Sequence, residues 1–422
     1  MLKTYKDYKD KIRRRLFSEY SSLLSQDAIQ AEDLGKVITN ILEDIVSRER
    51  DKLSEEDKKK MISDVVDEFT GFGPIDPLMK DAHVTEIMIN GTKKVYAERF
   101  GKAELTNITF DSEQQLMQLV YKLLAPTRRR VDESYPYTEI SLKDGSRVNI
   151  IIPPLALDGS TITIRKFLKT IKTAEDLVKL GTLDQRMADF LITSIKAKAN
   201  ITFSGATGAG KTTTLNVLSS YISEEERIVT IEDTAELRLS QGHVVRLEAR
   251  QPNIEGKGEV TIRDLFKNSL RMRPDRIILG EIRGAEALDM LQAICSGHTG
   301  SLSVIHANLP QDVIYRLETM IITSGVPISI ESIHRQIAAA INLIVQQEQF
   351  IDGSRKVTYI TQVNGLKDGQ VVLEDIFVYD IEKIDSEGRL QGRWKATGVI
   401  PSFYPKFIQA GISLPKEIFN KD

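Results

Sequence analysis

The feature that most constrains this chain is the run Ile201-Thr-Phe-Ser-Gly205-Ala206-Thr207-Gly208-Ala209-Gly210-Lys211-Thr212-Thr213. An apolar, β-prone segment enters Gly-x-x-x-x-Gly-Lys-Thr, and a helical pattern over 213–222 leaves it. Strand, glycine loop and helix in that order form the setting in which this motif means phosphate binding. Glycines at 205, 208 and 210 let the backbone wrap so that successive N–H groups face an anion. The helix that follows adds the positive end of its dipole at the same spot. Residues 205–213 are therefore the expected phosphate site, with Lys211 reaching the β- and γ-phosphates and the Thr212 hydroxyl on Mg²⁺. The bland alternative is a strand-to-helix turn with an incidental lysine. With every fixed position filled, the sequence favours a nucleoside triphosphate site.

A chain of 422 residues exceeds one ordinary core and points to several domains. Its net charge of −3 gives no basic field to attract nucleic acid. A single cysteine, Cys295, excludes an intrachain disulfide framework and suits a reducing cytoplasm. The N-terminus lacks the apolar segment of a signal peptide, and no uncharged apolar run approaches the ~20 residues of a membrane helix. Work at a membrane is then expected by recruitment to its cytoplasmic face.

Residues 1–70 read as a highly charged helical appendage. Apolar positions recur at helical spacing in Ile12, Leu16 and Leu23, in Val37, Ile41 and Ile45, and in Met61, Val65, Val66 and Phe69. Ser54-Glu-Glu-Asp57 looks like a capped helix start. The runs Arg13-Arg-Arg15 and Lys58-Lys-Lys60 read first as solvated helix faces, with an acidic-partner or lipid-headgroup patch as the alternative. Turn formers at 71–77 mark a boundary. An α+β domain over 71–167 follows, with strands at 86–90, 94–98 and 147–152, a turn at Asn90-Gly91 and a helix near 112–124. Residues 168–183 read as a connector. From 184 to 422 strands and helices alternate, which predicts an α/β domain with a mainly parallel sheet and crossover helices. Its strands are expected at 200–204, 228–232, 276–280, 301–306 and 341–346. Two more flank Lys367-Asp-Gly369, and a small helical tail closes the chain.

Three further clusters fall at the ends of predicted strands, where open α/β sheets build ligand sites. In the first, Glu232 ends a strand and is free to orient water or hold Mg²⁺ through it; Asp233 and Glu236 alternatively form a helix capping box. In the second, Arg276-Ile-Ile-Leu-Gly280-Glu281 resembles a Walker B strand whose usual metal-holding aspartate is replaced by Gly280. Glu281 is the candidate base for the attacking water, or else simply pairs with Arg283. In the third, His298 and His306 bracket a short strand. Either senses the γ-phosphate or merely caps and packs, and His298, in a glycine-rich turn, is favoured. Their spacing is not a zinc pattern. Phosphoryl transfer also gains from added positive charge, and Arg128-Arg-Arg130, Arg147 and Arg165 lie upstream, in a domain whose closure would complete the site.

Together these clusters resemble the type II/type IV secretion-system ATPase superfamily (GspE/VirB-type). Its Walker A, Asp, Walker B and His boxes correspond to 205–212, 231–236, 277–281 and 297–306. Segments 71–78, 84–91, 144–149, 152–159, 254–260 and 268–275 look like the CpaF type, which powers tight-adherence (Tad/Flp) pili. One position departs: Thr299 follows His298 where relatives often carry an acid. The resemblance implies a RecA-like P-loop ATPase domain in a homohexamer using ATP and Mg²⁺. It also implies an integral-membrane platform protein as partner, which moves pilin subunits. Glu281 would be the catalytic glutamate with Glu232 assisting, and Arg147 and Arg165 would close on the phosphates.

A RecA-like nucleic-acid motor and a nucleotide-gated scaffold stay open as alternatives. Aromatic content of 6% and the lack of a basic patch leave few stacking platforms for the first. Glu232 and Glu281 argue against the second.

Overall fold

The computed structural model describes residues 5–20, 31–49, 53–127, 129–142, 144–167, 171–250, 252, 257–385 and 390–422. Leu23, Arg128 and residues 168–170 and 254–256, all named above, lie outside the described residues, as does the side chain of Phe69. The chain divides into two compact units, Met1–Phe167 and Leu168–Asp422.

The first unit opens with helices α1 (Tyr5–Glu19), α2 (Ala31–Glu49) and α3 (Glu55–Thr70). Ile12 and Leu16, Ile38, Ile41 and Ile45, and Met61 and Val65 recur every three or four residues and are buried together. Ser54 caps α3, its hydroxyl accepting from the Asp57 amide at 3.0 Å. After the short α4 (Asp76–Lys80) come β1 (Val84–Asn90), β2 (Lys94–Arg99), β3 (Lys102–Leu105), α5 (Glu113–Leu124), β4 (Tyr137–Ser141), β5 (Arg147–Ile151) and β6 (Thr161–Arg165). The six strands form one antiparallel sheet in the order β3-β2-β1-β6-β5-β4. Leu116, Leu119, Val120 and Leu123 of α5 share its buried core. Only β1, β2 and β5 are expected from the sequence. β3 is exposed along its whole length and so lacks an apolar alternation to announce it.

The second unit runs α6 (Ala174–Lys179), α7 (Gln185–Lys196), β7 (Ile201–Ser204), α8 (Lys211–Ser219), β8 (Ile228–Glu232), β9 (Val244–Glu248) and α9 (Ile262–Ser269). It continues through β10 (Arg276–Leu279), α10 (Glu286–Cys295), β11 (Leu302–Ile305), α11 (Pro310–Thr323), α12 (Ile330–Ala340) and β12 (Leu343–Gln349). It ends with β13 (Arg355–Lys367), β14 (Gln370–Ile384), β15 (Leu390–Ala396) and α13 (Pro405–Gln409). The sheet order is β15-β14-β13-β12-β7-β11-β10-β8-β9. From β12 to β9 all pairings are parallel, and β12 to β15 are antiparallel. One core lies under α6, α7, α8 and α13, the other under α9 to α12, so helices cover both faces. The expected connector over 168–183 instead contains α6, which a Thr173–Asp176 capping box starts and buried Ala174 and Leu177 anchor.

Candidate phosphate site

All six parallel strands point their carboxyl ends to one edge, and the glycine loop leaves β7 there. Gly205, Gly208 and Gly210 have φ of +151°, +80° and +96°, and Gly210 is the N-cap of α8. The loop runs hard against β12. A Cβ at 205 would lie 2.1 Å from the Gln347 carbonyl oxygen, and one at 210 would lie 2.8 Å from Gln347 Nε2. Close approach to backbone therefore demands glycine at 205, while the positive φ favours it at 210. Ala206 and Thr207 are exposed, Ala209 is buried, and Thr212 and Thr213 are half-buried in the first turn of α8. No side chain among the described residues caps α8, which leaves its first amides facing the loop. Lys211 is only 6% exposed; its ammonium donates to the Ala206 carbonyl at 2.7 Å and stands 3.5 Å from His306 Nδ1.

From that lysine a charge network crosses three strand ends. His306, just past β11, is 3.1 Å through Nε2 from Glu281 Oε1, just past β10. Burial and then the neighbouring Lys211 push the imidazole pKa down, so the neutral ring accepts from Lys211 and donates to Glu281. Arg283 closes the chain, 2.6 Å from Glu281 Oε2 and 3.2 Å from Asp233 Oδ2. The pairing of Glu281 with Arg283 is therefore present, and it sits within the site.

Glu232 ends β8 buried. Its Oε1 accepts from the amides of Glu236 at 2.8 Å and Leu237 at 2.9 Å, while Oε2 is buried with no hydrogen-bond partner. Burial pushes its pKa up to about 7 against those two bonds. No helix starts at Asp233, which corrects the capping-box alternative: Glu232 takes the Glu236 amide that such a box would need, and Asp233 pairs with Arg283. Gly280 also gains a steric reason, since a Cβ there would lie 2.7 Å from Glu232 Cγ.

The favoured histidine is the other correction. Pairing of Leu302 with Ile201 and Ile305 with Ser204 sets β11 parallel to β7, so His298, preceding β11, lies at the edge opposite the phosphate loop. Its Nδ1 donates to the Ala293 carbonyl at 3.2 Å and closes the turn after α10. His306, following β11, is the histidine that meets Lys211 and Glu281. Arg147 and Arg165 lie in the first unit as directly opposite partners on β5 and β6. Arg165 is exposed, and Arg147 Nε donates to Glu139 at 2.8 Å. Each also has an acid beside it, Glu139 paired with Arg147 and Glu86 of β1 directly opposite Arg165, which offsets the repulsion between the two like charges. Arg130 stacks over Tyr135 at 5.0 Å and pairs with Asp132.

Sequence reasoning misses the wall behind the loop. Thr214 donates to Gln347 Oε1 at 2.8 Å, Ser204 bonds Gln346, and Arg355 Nε donates to the Gly208 carbonyl at 2.8 Å. The one local signal is the polar pair Gln346-Gln347 closing an apolar strand. Among the described residues no group of three or more His, Cys, Asp or Glu could hold a metal ion. The donors at the edge are hard oxygens, the Thr212 hydroxyl and the carboxylates of Glu232 (with its orphaned Oε2) and Glu281. That set fits Mg²⁺ carried together with phosphates.

A glycine loop at the carboxyl edge of a parallel sheet, its buried lysine and the acids on neighbouring strand ends define a P-loop nucleotide-hydrolysing protein. The family described as type II/IV secretion system protein matches residues 68–359. The chain belongs to that family and is an ATPase of it. A Mycobacterium tuberculosis protein named for conjugal transfer is 33% identical over 299 residues, covering 69% of this chain and 84% of its own. The type IV secretion system protein VirB11 of Bartonella quintana is 28% identical over 330 residues, covering 69% and 91%. Among solved structures, the VirB11 ATPase of Brucella suis in complex with sulphate is 27% identical, covers 68% of this chain and 95% of its own, and gives a TM-score of 0.38.

Proposed function

We propose that this ATPase is a homohexameric motor at the cytoplasmic face of the membrane, powering assembly of a Tad/Flp-type pilus. The observation that carries the hydrolytic part is the network from Lys211 through His306 to Glu281, beside the loop that would hold the phosphates. Lys211 leaves the Ala206 carbonyl for the β- and γ-phosphates, and Glu281 polarises the attacking water. Neutral His306 passes the state of one to the other. Mg²⁺, held by the Thr212 hydroxyl with Glu232 and Glu281 reaching it through water, would neutralise charge developing on the phosphates. Arg147 and Arg165 supply the further positive charge that phosphoryl transfer rewards. Membership of the secretion family supports the motor, and the CpaF-like segments support the pilus and the platform and pilin partners. No described helix is long and apolar enough to cross a membrane, which accords with docking onto a platform protein.

The expected result is that Lys211→Ala abolishes ATP binding, whereas Glu281→Gln still binds and loses about 10²–10⁴-fold in turnover. Wild-type hydrolysis by Glu281→Gln would remove the glutamate from its role. A six-subunit mass with a non-hydrolysable ATP analogue supports the ring. Stimulation of turnover by single-stranded DNA, without any by platform fragments, would instead favour a nucleic-acid motor.

A further inference from the structure

The phosphate loop is braced from outside by a hairpin about 140 residues away in sequence. Strands β12 and β13 meet at a tight turn over 350–354, where Phe350 N donates to Ser354 O at 2.8 Å and Gly353 N to Phe350 O at 2.9 Å. Asp352 fixes that turn: its carboxylate accepts from the Ser354 amide and from the Leu390 amide at the start of β15, both at 2.9 Å. Arg355, the first residue of β13, pairs directly with Gln349 of β12. From this frame its half-buried side chain reaches the loop, with Nε on the Gly208 carbonyl. Its Cδ lies 3.3 Å from where a Cβ at 210 would stand, and Gln349 Oε1 lies 3.1 Å from one at 208.

We propose that Arg355 is a positioning residue for the phosphate loop, holding the Gly208–Ala209 peptide in the orientation that binds phosphate. The peptide is planar and trans, so a carbonyl held outward turns the Ala209 N–H the other way. That amide meets the Ala206 carbonyl at 3.3 Å, an acceptor it shares with Lys211 and would leave, as the lysine would, for a phosphate oxygen. Turning this peptide over changes ψ at Gly208, a residue whose lack of a Cβ leaves that rotation open at little cost, so the loop by itself selects the orientation weakly. A guanidinium anchored in a strand selects it. Bonds to a charged donor are the stronger class, and the strand pairing and turn bonds that hold Arg355 involve no ligand atom. This assignment rests on the reading of the loop as a nucleotide site, and its test separates the two.

In the nucleotide-free full-length protein, Arg355→Gln is expected to speed amide hydrogen exchange over residues 207–212 by about tenfold or more. The same variant should weaken ADP and ATP binding by roughly 10- to 100-fold, the equivalent of one charge-assisted bond. It should raise KM for ATP with kcat changed by no more than about threefold, a split that general loss of structure would not produce. Arg355→Lys, which keeps the charge and the aliphatic stem, should recover part of the affinity, and it carries the same measurements if the glutamine variant does not fold. Loop exchange and nucleotide affinity both within about twofold of wild type in Arg355→Gln would overturn the proposal. If the wild-type protein binds no nucleotide, the nucleotide reading falls, while the exchange experiment still decides whether Arg355 holds the loop.

Discussion

Replacing Glu232 by glutamine tests how the acids of the site are tuned. The carboxyl is 2% exposed, and burial lifts its pKa from the ordinary 4.5 to about 7. A rise of that size corresponds to about 3 kcal/mol at 1.36 kcal/mol per unit. Its sign is set by linkage: the folded state binds this proton more tightly than the unfolded chain does. The contribution of Glu232 to stability is therefore greatest below pH 4.5, the unfolded value, and is lost as pH rises through about 7. Glutamine keeps a side-chain oxygen for the Glu236 and Leu237 amides and carries no titrating proton. The stability of wild type relative to Glu232→Gln should fall by about 3 kcal/mol between roughly pH 4.5 and pH 8.5. Urea unfolding of both proteins across that range measures it, followed by the fluorescence of Trp394, the single tryptophan and a member of the same unit. A difference independent of pH would refute the reasoning, because a carboxyl that titrates normally in the fold leaves no such slope.

Gly280→Ala should destabilise by about 1–3 kcal/mol, read by thermal unfolding, because its methyl group meets Glu232 Cγ. Gly280→Asp should fail in the same way, although it restores the acid that Walker B strands usually carry. His334 is buried; burial opposes its charge, but hydrogen bonds to the Gly369 carbonyl and Glu318 Oε1, both 2.6 Å, prevail and raise its pKa. Its contribution is full below about pH 6.5 and is lost as pH climbs through the raised value, so His334→Gln should flatten the alkaline fall in stability followed by Trp394. Arg147→Ala and Arg165→Ala should each lower kcat by at least about tenfold in steady-state hydrolysis, with little change in nucleotide affinity. Unchanged turnover in both would remove them from the reaction.

The phosphate loop was legible because its determinants are local: Gly205, Gly210, Lys211 and Thr212 stand at fixed offsets between a strand and a helix. Glu232 and Glu281 were legible for a related reason, as acids ending apolar runs that the parallel sheet brings to one edge. The choice between His298 and His306 turned on strand direction. Only residues that follow β11 reach the carboxyl edge, and that consequence of a parallel sheet outweighs the glycine-rich look of the turn before it. The capping box at Asp233 to Glu236 stays open as an alternative in the sequence because a capping box and a strand-end acid share one pattern; in the fold Glu232 takes the Glu236 amide in competition. Of the wall formed by Gln347 and Arg355, only the polar pair Gln346-Gln347 left a local trace, and its place beside the loop was not legible. It depends on β12 lying beside β7, an arrangement that no local periodicity encodes.

Strand β13 gives the second unit a mechanical direction. Its 13 residues span about 40 Å, from Arg355 at the phosphate loop to Lys367 near the turn where His334 holds Gly369. A load drawn along that strand shears its ladders to β12 and β14, so many hydrogen bonds resist together. A load drawn across it would peel them one by one. A force applied between the nucleotide edge and the far hairpin would thus meet the sheet along its stiffer axis.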